Sequence, residues 1–544
     1  MSYLNFKSEY DRFPKTTIKN HRAFHGYDAI YQELNKKINN RSVVVFDYYP
    51  GVDEEEVYEL IKRFNFSLEI NMYDIFKDGK TMTEQMKYNL TDDRVFGKMY
   101  YGNLVDFIDE EKLEEAKNKV KEHHGSTIIY GVGAGLVSHG DLYIYFDMAR
   151  WEIQLRYRKS MPNYNCDNYD EDILKKYKRG YFIEWRIADK HKAERFDCFD
   201  YVVDTNVAND PKMISRYTFT ESLKQLAQKP FRTVPYFDPG VWGGQWMKEV
   251  CNLDVNQPNY AWSFDGVPEE NSILFDYDGV TVELPAMDLV LYQPKELLGE
   301  QVYSRFGAEF PIRFDFLDTM EGQNLSLQVH PLTEYIKKNF GMSYTQDESY
   351  YILDAKEDAH VYLGLKEGIQ PNEMISDLES AQRGEIVFDA DKYINKFPAK
   401  KHDHFLIPAG TCHCSGKNAM VLEISATPYI FTFKLWDWQR LGLDGLPRPI
   451  NIEHGKHVIQ WDRTTKWVKE NLVNATYEVK EDGNDCKIEH TGLHELEFIE
   501  TRRYTINNDS LHKTHGTVNM LNLIDGKRHL QRYLLHIPSA LLLQ

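Results

Sequence analysis

The sequence predicts two architectures in series within its 544 residues: a three-layer α/β domain, then a mainly β domain of sandwich or barrel type. Two observations carry this. Up to about residue 225, strand-like runs such as Ser42-Val-Val-Val-Phe-Asp47 and Asp141-Leu-Tyr-Ile-Tyr-Phe-Asp147 alternate with helical patterns, which implies a mainly parallel sheet with helices on its faces. Near residue 230 the texture changes. Pro235-Tyr-Phe-Asp-Pro-Gly-Val-Trp-Gly-Gly244 packs turn formers and aromatics together, and short strand-like runs follow. A chain of this length exceeds one hydrophobic core, and length alone suggests roughly three to four domains.

Composition narrows the function classes. With 42% hydrophobic and 27% charged residues the chain reads as globular. A net charge of -19 with no local basic stripe argues against a nucleic-acid partner. No apolar run approaches the ~18 residues of a membrane helix, and Met1-Ser-Tyr-Leu-Asn-Phe-Lys7 lacks a signal-peptide core. Six cysteines (166, 198, 251, 412, 414 and 486) do not make a disulfide framework in so long a chain. The expectation is a cytoplasmic protein with neither membrane nor nucleic-acid partner.

Taken in order, residues 1–40 read as an irregular lead-in with one helix, Asp28–Asn39. The strand Ser42–Asp47 runs through Tyr48-Tyr-Pro-Gly51 into a helix from Asp53, with Val57, Leu60, Ile61 and Phe64 on one face. Strand, glycine turn and helix is the layout of a phosphate loop. The G-x-x-x-x-G-K-[ST] chemistry is missing, and Val52-Asp-Glu-Glu-Glu56 repels phosphate, so nucleotide binding is not expected. Thr127–Val132 and Phe199–Asp204 read as strands and Arg150–Arg158 as a basic helix. Gly131-Val-Gly-Ala-Gly135 reads as a loop, because its third glycine is misplaced for a dinucleotide fingerprint. Beyond the boundary, strands are expected at Ala261–Phe264, Ser272–Phe275, Val280–Glu283 and Phe310–Leu317. Helices are expected only at Leu332–Phe340 and about Pro371–Gln382.

The chemistry concentrates in Leu325-Ser-Leu-Gln-Val-His-Pro331. Gln328 and His330, two apart in a strand, leave it on one face. Glu348 precedes a returning strand, Ser349–Leu353, and His413 opens another strand behind Ile407-Pro-Ala-Gly410. One amide oxygen, one carboxylate and two imidazoles suit zinc with a position open to substrate. Cys412 and Cys414 point off the face that carries His413, while His402 and His404 read as solvated in a charged loop. A His-Pro after a strand is ordinarily a turn, so spacing alone leaves both a metal site and a purely structural reading open.

Two resemblances extend this reading. Residues 41–225 resemble the uridine-kinase-like branch of P-loop kinases, through the first strand and turn, Asp147–Arg158 and Val202–Thr205, but depart from it at the phosphate loop. That implies a scaffold, a regulatory unit or an oligomerisation surface. Residues 226–470 are similar to type I phosphomannose isomerases, zinc enzymes of the cupin (jelly-roll) fold. The carrying residues are Val241-Trp-Gly-Gly244, Phe310-Pro311, Leu325–Pro331, Asp347–Ala355, Val361–Gly368, Ile407–His413, Leu422-Glu-Ile424, Leu435–Arg440 and Pro447–Glu453. The resemblance implies one zinc ion on Gln328, His330, Glu348 and His413, catalytic roles for Glu423 and Lys434, and substrate contacts from Ser326, Arg313, Trp242 and Arg440. The implied reaction interconverts mannose 6-phosphate and fructose 6-phosphate through an enediolate.

Three positions depart from the family pattern: Lys434 stands for an arginine, and Asp315 and Gln346 stand for lysines. Arg313, Arg440, Lys417 or backbone N–H groups then have to receive the phosphate, or the substrate is an unphosphorylated or different sugar. A zinc cupin that senses sugar without turnover, and a bifunctional kinase–isomerase, are the further alternatives. Residues 471–544 carry a turn at Lys480–Asp485 and strand-like runs at Leu496–Glu500 and Val518–Ile524. The resemblance places a second, smaller cupin-like domain here. The apolar ending Leu534–Gln544 is short of the strands that would close it, so the chain is expected to be cut short.

Overall fold

The computed structural model describes all residues except 1, 428, 430, 444, 446, 447, 482–485, 493, 508, 509, 527–540 and 544. In the amino-terminal half, a seven-stranded sheet runs in the order Phe24–His25, Lys212–Ser215, Tyr201–Asp204, Leu142–Asp147, Val43–Tyr48, Thr127–Gly131, Leu68–Asn71. The last five are mutually parallel. Helices cover both faces, which is why Val44, Val45 and Phe46 in succession are all fully buried.

The carboxyl ends of these parallel strands, where α/β folds ordinarily receive ligands, are filled by the chain's own charges. Asp47 accepts from the N–H groups of Gly133 (2.8 Å) and Gly135 (3.1 Å) and meets His191 Nε2 at 2.7 Å. The glycine-rich loop is therefore an anchor for Asp47. Gly51, at φ +109°, approaches the Ile153 side chain so closely that a Cβ would stand 2.8 Å from it. Lys192, itself buried, lies 3.0 Å from Asp147 and 2.5 Å from Asp288. Burial alone would discharge its ammonium, but the two carboxylates outweigh that and keep it charged.

The carboxy-terminal half holds two antiparallel sheets. One has six strands in the order His404–Ile407, Asp347–Ala355, Ala419–Ala426, Arg313–Asp318, Trp262–Phe264, Tyr236–Asp238; the other has five, Ile394–Pro398, His360–Leu365, His413–Ser415, Leu327–Val329, Phe433–Trp436. Donors from both sheets converge on the metal centre described below.

The structure corrects several expectations. Residues 2–18 are no lead-in: Lys15–Thr17 pairs in parallel with Ser272–Tyr277, and the backbone of Tyr3 and Leu4 donates to Glu249. The first helix is Gly26–Asn35, and the helix Arg216–Ala227 carries the first half past residue 225. The hairpin Ser272–Tyr277/Val280–Pro285 packs on the first half, with Glu283 N–H donating to Asp204 (2.8 Å).

Helices also form at Ala286–Tyr292, Pro294–Leu298 and Glu300–Phe306, each too short to show a helical period in the sequence. His404 is no solvated loop residue. It is buried in a strand, with Nδ1 on the carbonyl of Thr491 (2.8 Å). His402 sits in the left-handed region at φ 75° beside Tyr351.

At the carboxy-terminal end, Leu496–Glu500 is not a strand. The sheet there is Tyr477–Val479, Lys487–Gly492 and Thr501–Thr505, while Asn519–Leu521 pairs in parallel with Leu541–Leu543. The expected turn at 480–485 and the apolar ending lie largely outside the described residues.

Lys192 joins the two halves, so its loss tests the seam between them. Lys192→Met strands two buried carboxylates and is expected to cost about 3–5 kcal/mol in denaturant unfolding. An unchanged midpoint rejects that role.

Candidate metal centre

Gln328 and His413 are direct partners in the five-stranded sheet, and His330 follows two residues on. Glu348 comes from the facing six-stranded sheet. His330, Glu348 and His413 are fully buried, and their donor atoms lie within 4.8 Å of one another. Backbone carbonyls fix both imidazoles. His330 Nδ1 donates to Phe431 O and His413 Nδ1 to Thr411 O, each at 2.8 Å. The inward Nε2 atoms are then lone pairs.

His330 Nε2 stands 3.0 Å from Glu348 Oε2, and His413 Nε2 stands 2.8 Å from Glu348 Oε1. Neither His330 Nε2 nor Glu348 Oε1 has a hydrogen-bond partner. Acceptors facing acceptors in a dry interior are unfavourable unless a cation sits among them. The Gln328 amide, whose nitrogen is 3.2 Å from His413 Nε2, offers a further donor through its oxygen. This N/O set fits zinc or a similar divalent ion.

Gln346 was weighed in the sequence only as a lost cation, but here it positions the centre. Its Nε2 donates to Glu348 Oε2 (2.9 Å), and its Oε1 accepts the Phe431 N–H (2.9 Å). Glu348, Gln346, Phe431 and His330 thus form a closed ring of polar contacts. A lone Gln near a ligand carries no sequence signal for this.

Beside the donors, the inner face of the six-stranded sheet carries a row of polar groups set by register: Asp315 opposite Glu423, Arg313 opposite Ser425, and Glu348 opposite Ser425 on the other side. Arg313 Nε and Nη1, Asp315 Oδ1 and Ser425 Oγ are buried without hydrogen-bond partners. Burial pushes Asp315 up to about 7, although Arg313 beside it pulls the other way. Burial, with the charges of Glu348 and Asp315, raises Glu423 well above the carboxylate range. Asp315, weighed in the sequence only as a lost cation, thus stands directly opposite Glu423.

A second cluster surrounds Asp437. Ser326 Oγ donates to its Oδ1 (2.8 Å), Arg448 Nη1 lies 2.9 Å from its Oδ2, and Arg440 pairs with it as well. Lys434, strand partner of Gln328, lies in the same field. Burial and then the charge of Arg448 push its ammonium down to about 7. Two guanidinium groups thus pair with one carboxylate, with Lys434 in the same field. Of the other expected residues, Trp242 packs edge-on against Trp262 (4.7 Å), which shares a sheet face with Asp315. Lys417 is half exposed and pairs with Asp358 (2.9 Å), away from both clusters.

Residues 26–228 match a family described as a domain of unknown function (DUF8485). The chain is 26% identical over 238 residues to mannose-6-phosphate isomerase ManA of Bacillus subtilis, covering 43% of this chain and 69% of that protein. It is 27% identical over 221 residues to the mannose-6-phosphate isomerase of Streptococcus mutans, covering 40% and 64%. It is 31% identical over 178 residues to the probable mannose-6-phosphate isomerase GmuF of Bacillus subtilis, covering 33% and 51%. Among solved structures, the mannose 6-phosphate isomerase from Bacillus subtilis aligns with a TM-score of 0.41 at 19% identity, over 52% of this chain and 81% of that one.

Loss of a donor tests the centre. His330→Ala is expected to abolish stoichiometric zinc by metal analysis, and Gln346→Leu to weaken zinc binding about 10–100-fold with the ligands intact. Zinc that persists in His330→Ala rejects the centre. The curated relatives support an isomerase.

Proposed function

We propose that the chain is a zinc-dependent aldose–ketose isomerase interconverting mannose 6-phosphate and fructose 6-phosphate. The observation that carries this reading is the buried cluster of His330, Glu348 and His413 with Gln328 beside it, near the Asp315–Glu423 pair and the cations around Asp437. Zinc held there would act as a Lewis acid on the sugar's O1 and O2, worth several kcal/mol in the transition state.

This chain's own residues do the rest. Asp315 and Glu423, opposed in register, share protons and move one between C2 and C1 of the sugar. Arg313 turns its unpartnered N–H groups toward the hydroxyl oxygens. Ser326, Lys434, Arg440 and Arg448 receive the phosphoryl group, where two guanidinium groups outnumber the one carboxylate, Asp437. Burial of His330, Glu348 and His413 would keep bulk water from the carbanion-like state.

Among the described residues no helix is long and apolar enough to cross a membrane. We read the chain as acting on a small-molecule substrate in the cytoplasm. The amino-terminal half is read as a kinase-like α/β unit without a phosphate loop, its strand ends occupied by the Asp47 and Asp147 networks rather than by a nucleotide.

Asp315 and Gln346, polar residues where the family carries lysines, favour a second reading: an isomerase of an unphosphorylated sugar. Steady-state isomerisation of mannose 6-phosphate and of free mannose separates the two. Lys434→Met and Arg440→Met are expected to raise KM for mannose 6-phosphate about 10–100-fold, the worth of a charge-assisted hydrogen bond. Equal turnover of both sugars, with KM indifferent to these substitutions, assigns the unphosphorylated substrate. Glu423→Gln and Asp315→Asn are expected to lower kcat at unchanged zinc content.

A further inference from the structure

Phe431 belongs to no strand. It lies in the crossing from Ala419–Ala426 in one sheet to Phe433–Trp436 in the other, so its peptide groups are free of any ladder. Both are spent on the metal centre: its carbonyl accepts from His330 Nδ1, and its N–H donates to Gln346, which holds Glu348. Whatever holds Phe431 in place orients two of the four donors.

What holds it comes largely from the other half of the chain. Phe96 stacks on Phe431 (5.5 Å, 13°) and meets Phe433 edge-on (5.4 Å). Tyr181 lies 4.2 Å from Tyr429, and Phe182 lies 5.1 Å from Tyr429 and 6.3 Å from Phe431. Tyr181 and Phe182 sit in a π-helical turn, Gly180–Glu184, inserted between the α-helices Ile173–Arg179 and Trp185–Ala193.

Such turns are uncommon and recur at functional sites, because they rotate a helix face out of register. Here the turn is fastened from behind. Glu184, buried, pairs with Arg179 (2.6 Å) and accepts from Asn163 (3.0 Å), and a Cβ on Gly180 would stand 2.8 Å from the Trp185 ring. The backbone joins in: Met99 N–H donates to Phe340 O (2.9 Å), and the Phe340 ring lies 5.1 Å from Phe431.

We propose that the amino-terminal domain is a working part of the metal centre, with Phe96 and Phe182 as positioning residues. Their aromatic clamp on Tyr429 and Phe431 sets the Phe431 peptide, and through it the orientation of His330 and, by way of Gln346, of Glu348. This rests on the metal reading above.

Zinc affinity of the full-length chain, measured by chelator competition, tests it. Phe96→Leu and Phe182→Leu are each expected to weaken zinc about tenfold, the low end for residues that orient ligands. Phe199→Leu makes the same cut in the core of the same domain, remote from the clamp, and is expected to lower Tm comparably while leaving zinc affinity unchanged. Phe182→Leu combined with Gln346→Leu is expected to lose less than the product of the single losses, since both act through Phe431.

Should either leucine variant fail to fold, amide exchange of the Phe431 N–H in the remaining one, without metal, decides. Fast exchange relative to Phe199→Leu supports the clamp. Wild-type-like zinc affinity or protection in the folded clamp variants overturns it while leaving the metal reading standing. Absence of zinc binding by the unaltered chain instead defeats the metal reading itself, and the clamp with it.

Discussion

A carboxylate and two imidazole lone pairs face one another in an interior that water does not reach, and most of the carboxy-terminal half is arranged to keep them there. Glu348 is brought from one sheet and His330 and His413 from the other. Each imidazole is committed by a backbone carbonyl to present its lone pair inward. A core assembled for stability alone would avoid this arrangement, since paired acceptors gain nothing from burial. It makes sense as a cation site whose donors are held in place before the ion arrives, at a cost in folding free energy recovered when the ion binds.

The same logic runs outward from the centre. Arg313, Asp315 and Ser425 retain buried polar atoms without partners, while Asp437 is wrapped in cations. The first region suits hydroxyl groups and a migrating proton, and the second suits an anion. The division between them is physical. Carboxyls driven toward neutrality by burial can both donate and accept, whereas guanidinium and ammonium groups can only donate. Gln346 instead braces Glu348.

The two halves of the chain are not independent bodies joined by a linker. Lys192 pairs with carboxylates from both, the Glu283 N–H donates to Asp204, Lys15–Thr17 pairs with Ser272–Tyr277, and an aromatic ridge meets Phe431. The strand ends of the parallel sheet, a common place for a ligand, carry a closed ion network instead. The amino-terminal domain's contribution is then sought at its outer surface, where the π-helical turn meets the metal half.

Local pattern in the sequence determined a good deal. The strand Val43–Tyr48 and the helices near Arg150 and Leu332 were legible, because strand alternation and helical period are properties of a few neighbouring residues, whereas spacing alone left the role of His330, Glu348 and His413 open until the fold brought them together. Short helices at 286–306 and the strand at His404 were not legible. The first are too brief for a period, and the second owes its burial to a carbonyl 87 residues away in sequence. The contacts of Asp315, Gln346 and Phe431 appear only in the tertiary structure. Each depends on what lies opposite: a facing carboxyl set by strand register, a backbone amide across the site, an aromatic ridge from another domain. Residue type and spacing say which groups can bind a metal. Only the folded chain says which groups hold them still.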